Sequence, residues 1–217
     1  MTQSFNNRLS ARAASAGVTI DTGAKAQLEA YVRLLTVWNE KINLTALPLK
    51  PLSDETIDRL LIEPICAARF VGGAPQAWFD VGSGGGSPAI PFKIVHASAK
   101  LTMVESTAKK TAFLREAIRV LELSEATVRN ERFESVSHPL NALDLVTVRA
   151  VRSDPVLFRT LHRLLAPTGR AFLFHSSRAE PDVPASAFST VEVVPLGRAG
   201  NVKLTILKPM FHVEQTR

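Results

Sequence analysis

The run Phe79-Asp80-Val81-Gly82-Ser83-Gly84-Gly85-Gly86-Ser87-Pro88 carries the densest chemical signal in the chain, four glycines behind an acid. Glycine lets a backbone turn sharply and approach a ligand too closely for any Cβ. Ala77–Val81 before it reads as a short buried strand, and a helix opens at Pro88 after it. The turn therefore falls at the carboxyl edge of a predicted sheet, where doubly wound folds take their ligands. Three ligand classes use such turns. A phosphate-cradling loop needs Lys and then Ser or Thr after its last glycine, and neither requirement is met. A dinucleotide fingerprint, G-x-G-x-x-G, needs a third glycine where Ser87 stands.

What remains is Asp-x-Gly-x-Gly-x-Gly, the turn typical of S-adenosylmethionine (SAM) methyltransferases. Glu105 closes the next predicted strand, 23 residues beyond Gly82. A carboxylate there can accept hydrogen bonds from both ribose hydroxyls, a task common to NAD and SAM folds. Asp80 separates the two: an acid before the turn suits a cofactor with an ammonium and a cationic sulfur, whereas it repels a pyrophosphate. Phe133-Glu134, after the third strand, could give adenine an aromatic face and a polar group, or form a surface loop. Arg149, ending Leu143–Val148, stands where substrate-facing groups belong, with an exposed arginine of no role as the alternative. The expected cofactor set is Asp80, Gly82, Ser83, Gly84, Gly86, Ser87, Glu105, Phe133, Glu134 and Arg149.

Methyl transfer from a sulfonium is an in-line displacement, so a protein mostly aligns the nucleophile and excludes water. Exocyclic amines of bases are usually met by Asn/Asp-Pro-Pro-aromatic after the fourth strand, where this chain has Val148-Arg149-Ala150-Val151. Attack by carbon 5 of a pyrimidine needs a cysteine. Cys66, the single cysteine, lies in a helical region and reads as a small core residue. Nucleophiles with their own lone pair are left, and the N7 of guanine is one, needing no catalytic base. In RNA that guanine must be unpaired or in an opened loop, because the A-form major groove is too narrow to enter. Lys93, Lys109, Lys110, Arg115, Arg149 and Arg152 are the candidates for steering RNA, against plain solubility.

These residues need a scaffold, and two rhythms supply it. Over the first 70 or so residues the pattern is helical. Leu28, Tyr31, Val32, Leu35 and Trp38 make one stripe from Ala24 to Trp38, with Asp21 and Thr22 as caps. A second helix runs from Ser53-Asp54 to Phe70 and stops at Gly72-Gly73. After Pro75, short apolar runs alternate with helix-length segments, the βαβ signature. Strands are expected at Ala77–Val81, Leu101–Val104, Thr127–Val128, Leu143–Val148, Ala171–Phe174, Thr190–Val194 and Val202–Leu207, the last two joined around Gly197–Gly200. Helices are expected from Pro88, over Thr107–Leu121, and over Pro155–Leu165, where a Pro167-Thr168-Gly169 turn ends the element. The expectation is an α/β, doubly wound, mostly parallel Rossmann-like sheet, residues 75–217, with a helical N-terminal extension, residues 1–74.

Composition bounds the rest. With 217 residues, 46% hydrophobic and 21% charged, the chain is globular in composition. No apolar run is long enough to span a bilayer, and Met1–Phe5 lacks the basic and apolar parts of a secretory leader. One cysteine cannot close an internal disulfide, so a reducing cytoplasm is expected. Neither Cys66 nor the spacing of the five histidines suggests a metal site. The net charge of +6 sits almost wholly after residue 70, since residues 1–70 hold 8 basic and 7 acidic side chains. Nucleic acid is a compatible partner.

Trp38-Asn39 with Asn43-Leu44-Thr45, Asp80 through Pro91, Phe113-Leu114-Arg115 and Arg149-Ala150 together resemble the bacterial ribosomal RNA small-subunit methyltransferase G family, also called glucose-inhibited division protein B. The resemblance runs in order along nearly the whole chain. It implies SAM as cofactor, N7 of a guanine in 16S ribosomal RNA as acceptor, and the RNA or the small ribosomal subunit as partner, with no membrane and no metal. It places family cofactor contacts on Gly82, Ser87, Phe133, Glu134 and Arg149, with Glu105 at the ribose. The chain departs from it in places: Leu60 and Pro64 stand where the family has His and Ser, though Glu63 keeps the carboxylate; Ser87-Pro88-Ala89 replaces hydrophobic-Pro-Gly; and Phe174-His175-Ser176 replaces a Lys-Gly. A SAM methyltransferase with another target, and a silent RNA- or ribosome-binding paralogue, are the alternatives. An NAD oxidoreductase is weakened by Ser87 and Asp80.

Overall fold

Four residues, Trp78–Val81, make the central strand β1, and all four are buried. A strand buried on both faces must be covered by helices on both sides, which the alternation after Pro75 supplies. In the computed structural model, which describes residues 2–197 and 200–211, β2 (Leu101–Val104), β3 (Ala126–Arg129), β4 (Leu143–Arg149), β5 (Leu165–Ser176), β6 (Phe188–Leu196) and β7 (Val202–Pro209) join it. The sheet order is β3-β2-β1-β4-β5-β7-β6. β1 pairs parallel with β2 and β4, β4 with β5, and β7 runs antiparallel to both β5 and β6. This is the expected doubly wound α/β class.

Alternation along β1 divides the core. Trp78 faces the larger apolar cluster, built with α1 (Thr2–Ser15), α2 (Thr22–Asn39), α4 (Glu63–Ala68), α5 (Ala89–Val95) and α6 (Ala108–Val120). Phe79 and Val81 face the other, built with α7 (Pro155–Leu164) and the 3-10 turn Phe133–Ser135. The apolar side chains of residues 5–68 thus share one core with the sheet. No helix among the described residues is long and apolar enough to cross a membrane.

Capping chemistry sets several boundaries where the sequence places them. The Asp21 side chain accepts from Ala24 N at 2.8 Å and starts α2, and Asp154 accepts from Val156 N and Leu157 N to start α7. Three expectations are corrected. The second helix is not uniform: α3 (Asp54–Ile57) passes through a π-helical stretch, Asp58–Ile62, into α4. The Pro167-Thr168-Gly169 turn does not precede a strand; it lies inside β5, as the bulge between the Leu143–Leu165 and Leu145–Arg170 pairings. Only glycine fits there, since a Cβ on Gly169 would meet Leu143 O at 2.4 Å. Finally, α1 is a helix of its own, burying Phe5, Leu9 and Ala13 at four-residue steps. Arg8 and Arg12 on α1 pair with Asp54 and Asp58, fastening it to α3 and to the start of the π-helical stretch. Part of the Gly197–Gly200 join lies outside the described residues.

Candidate functional site

The glycine turn hangs between the ends of β1 and β2, with Gly82 N and Ser83 N both donating to Val104 O. Gly82, Gly84 and Gly86 take φ of +65°, +50° and +87°, a region costly for any other residue. Much of the room they leave is filled by the chain itself. A Cβ on Gly82 would meet Val151 Cγ2 at 2.7 Å, and one on Gly86 would meet Ile90 Cδ1 at 2.4 Å. Only Gly84 faces space, with nothing nearer than Gly82 O at 3.7 Å.

Three side chains hold this turn. Glu105 accepts from Gly84 N at 3.0 Å and from Thr107 N at 2.8 Å, so it ties the turn to the start of α6. Tyr31 of α2, fully buried, donates its hydroxyl to Gly85 O at 2.7 Å. Asn39, the last residue of α2, accepts from Leu44 N and Thr45 N and donates to Thr45 O. That clamp shapes Leu44–Leu47 into a wall facing the turn. Between them lies a cleft of about 540 Å³, within the usual range for a small-molecule site, with Leu35, Leu44, Leu47, Ser83, Gly84 and Lys110 among its lining.

Asp80 lies beneath the turn rather than in the cleft. Trp78 Nε1 donates to Thr147 Oγ1 at 3.0 Å, and that hydroxyl donates to Asp80 Oδ1 at 2.5 Å. Oδ2 is buried and has no partner among the described residues. Burial pushes the Asp80 carboxyl up to about 6, against the lowering effect of its hydrogen bonds.

Arg149, at the end of β4, is locked. Its Nη2 donates to Glu63 Oε2 at 2.5 Å, its Nη1 to Arg59 O at 2.7 Å, and its guanidinium stands 5.6 Å from the Phe174 ring centre. Burial pushes the Glu63 carboxyl up, and Arg149 pulls it part of the way back. The free carbonyls come from the helix itself. Glu63 N donates five residues back to Asp58 O, and Pro64 has no N–H to offer Arg59 O or Leu60 O. Arg149 takes the first carbonyl, and the Ser87 hydroxyl takes the second at 3.0 Å. A second cleft, about 520 Å³, opens over β4 and β5 and shares Arg59, Arg149 and Ala150 with the first. Ala150 there holds φ +56°, a strained value for a residue with a Cβ, and such strain clusters at functional positions.

The structure brings Gly82, Ser83, Gly84, Ser87, Lys110 and Arg149 to one cleft. Gly86 and Asp80 lie beneath it, and Glu105 braces it from behind. Three expected residues lie outside both clefts. Phe133 is buried in the second core cluster, so its ring meets apolar neighbours, and neither it nor the exposed Glu134 lines either large cleft. Lys93 is 1% exposed, and its Nζ donates to Ala97 O and Ala99 O, closing the end of α5. Its ammonium is spent on those carbonyls and not on the surface. Lys109, Arg115 and Arg152 are exposed. Sequence reasoning assigned no site role to Tyr31, Arg59 or Thr147. Tyr31 lay in an apolar stripe, and the other two meet the site only across long sequence separations.

The family described as GidB, rRNA small subunit methyltransferase G, matches residues 24–192. A protein named ribosomal RNA small subunit methyltransferase G from Chloroflexus aggregans is 38% identical over 164 residues, 71% of this chain and 68% of the relative. One of the same name from Escherichia fergusonii is 32% identical over 208 residues, covering 94% of this chain and 98% of the relative. Among solved structures, a SAM dependent methyltransferase from Aquifex aeolicus aligns with a TM-score of 0.58 at 16% identity, covering 75% of this chain and 96% of that one. At that identity the likeness is one of fold.

Proposed function

The chain belongs to the rRNA small subunit methyltransferase G family, and from that premise we propose that it methylates N7 of one guanine in 16S ribosomal RNA of the small subunit, using SAM. The observation that carries this reading is the meeting of two clefts at Arg149 and Ala150, one over a glycine turn and one open above β4 and β5.

The residues present fit SAM. The first cleft is large enough, Gly84 leaves open backbone, and Leu35, Leu44 and Leu47 give apolar surface. The Asp80 carboxyl beneath the turn, its Oδ2 without a hydrogen-bond partner among the described residues, supplies an acid toward a cationic ligand. When bound, SAM supplies the methyl group on a cationic sulfur. The Gly82–Gly85 backbone and Ser83 would hold it, with Glu105 fixing the turn's shape. Arg149 stiffens the wall between the clefts, and Leu44–Leu47 screens the site from water.

The guanine-N7 assignment rests on which groups the first cleft lacks. Its lining holds no Asp, Glu, His or Cys; His175, Glu180 and Asp182 line only the second cleft, on the side away from the glycine turn's own lining. Cys66 is buried elsewhere, and burial pushes its thiol up. A nucleophile that already presents a lone pair needs only alignment. Incubation with radiolabelled SAM and small subunits from cells lacking this modification tests the reading: label on a single guanine is expected. SAM binding without label in RNA would refute the substrate assignment.

A further inference from the structure

The junction of the two clefts carries a cation that makes no direct ion pair among the described residues. Arg59, in the π-helical stretch, lines both large clefts and a smaller one against Leu196, Gly197, Asn201 and Val202. Its Nε is buried without a hydrogen-bond partner among the described residues. Of the carboxylates that share the smaller cavity with it, Asp58 is engaged with Arg12 and Glu63 with Arg149, while Glu55 lines neither of the two large clefts. Where the two large clefts meet, Arg59, Arg149 and Glu63 sum to one positive charge, with Glu55 set off in the smaller cavity. A desolvated guanidinium N–H without a partner is unfavourable until a ligand meets it, and the planar fork matches an anionic oxygen pair.

We propose that Arg59 receives the phosphodiester of the nucleotide whose base is methylated, an inference that rests on the RNA reading above. Two candidates could bring the anion. The cofactor's own carboxylate is accompanied by an ammonium and a sulfonium, so SAM as a whole adds positive charge to a wall already positive. A nucleotide adds one negative charge. The place also favours the nucleotide: a base entering through the second cleft meets the first at Arg59 and Arg149, and its phosphate follows within one nucleotide. Glu180 and Asp182 also line the second cleft and repel a phosphate, which leaves the Arg59 side to accept it. Arg149 cannot serve instead, because its Nη1 and Nη2 already hold Arg59 O and Glu63.

Full-length wild-type protein, Arg59→Gln and Arg59→Lys are compared for SAM affinity by calorimetry, for KM toward unmodified small subunits, and for 16S RNA binding across a KCl series. For Arg59→Gln the expected result is a KM for RNA raised roughly tenfold, with SAM affinity unchanged. The slope of log affinity against log salt should shrink by about 0.7, one phosphate contact on a single strand. Arg59→Lys should keep the slope. An RNA fragment with a neutral methylphosphonate at the target nucleotide gives an independent arm on the wild type alone: it should bind as weakly as natural RNA binds Arg59→Gln. Unchanged RNA affinity and slope in Arg59→Gln, or full wild-type affinity for the methylphosphonate, overturns the inference while leaving the methyltransferase reading intact. Weakened SAM binding with an unchanged RNA slope assigns Arg59 to the cofactor instead. A wild type that methylates no RNA refutes the proposed function, and this inference with it.

Discussion

Replacing Asp80 by Asn should make the protein more stable and a poorer cofactor binder, and both effects should depend on pH. The carboxyl is buried under the glycine turn and raised from 3.8 to about 6. At about 1.4 kcal/mol per pH unit, the ionised form costs the fold about 3 kcal/mol. The cost is absent below about pH 3, where the group is protonated in both folded and unfolded chains. It grows as pH rises toward 6 and is constant above. Stability from this group is therefore fully present at low pH and lost as pH rises through the folded value. Asn carries no charge and can still accept from Thr147. Urea denaturation of the two proteins should give a gap of about 3 kcal/mol in favour of Asp80→Asn at pH 7.5, shrinking to about 1 kcal/mol at pH 4.5 and closing below about pH 3. SAM affinity should show the reverse, rising through pH 6 in the wild type and remaining low and flat in the variant. A variant no more stable than wild type at pH 7.5, or a gap unchanged with pH, would refute the assignment of a destabilising buried charge.

Other consequences follow from the same contacts. Glu63→Gln leaves the buried Arg149 charge unmatched and should cost about 3–5 kcal/mol in denaturant melts, whereas an uncharged, shape-conserving replacement of both partners should cost much less. Lys93→Met should lower stability, because Ala97 O and Ala99 O lose their donor, while leaving the salt dependence of RNA binding unchanged; Lys110→Met, at the cleft, should flatten that dependence. Ala150→Gly relieves a positive φ and should raise stability by about 0.5–1 kcal/mol in the same melts, while single-turnover assays show slower transfer because the junction is looser.

How much of this was legible in the residues depends on the range of the interaction. β2 at Leu101–Val104 and the turn from Gly82 follow from local composition, because buried parallel strands and positive-φ corners each admit few residue types. Lys93 reads as a surface charge in sequence and is buried in the fold. A lysine in sequence is a charge, but its alkyl stem can be buried while its ammonium caps two carbonyls of the same segment. The bulge at Pro167–Gly169 uses the same residues as a chain-ending turn, and only the β4 partner distinguishes them. Phe133 looks alike in sequence whether it stacks on a base or fills a core. The Arg149 cluster joins residues 86 and 90 positions apart, which no local pattern encodes. Pro64, visible only as a departure, acquires its meaning once the carbonyls it frees are seen to meet Arg149 and Ser87.

N7-methylguanine is uniquely open to borohydride reduction followed by aniline cleavage of the strand, which makes the methylated atom itself readable. Small subunits lacking the modification, treated with this protein and SAM, should yield one new scission at a single guanine of 16S RNA, absent when SAM is withheld. Methyl incorporation without any such scission would mean that another atom is the acceptor, and would contradict a site built to align a lone pair without a base.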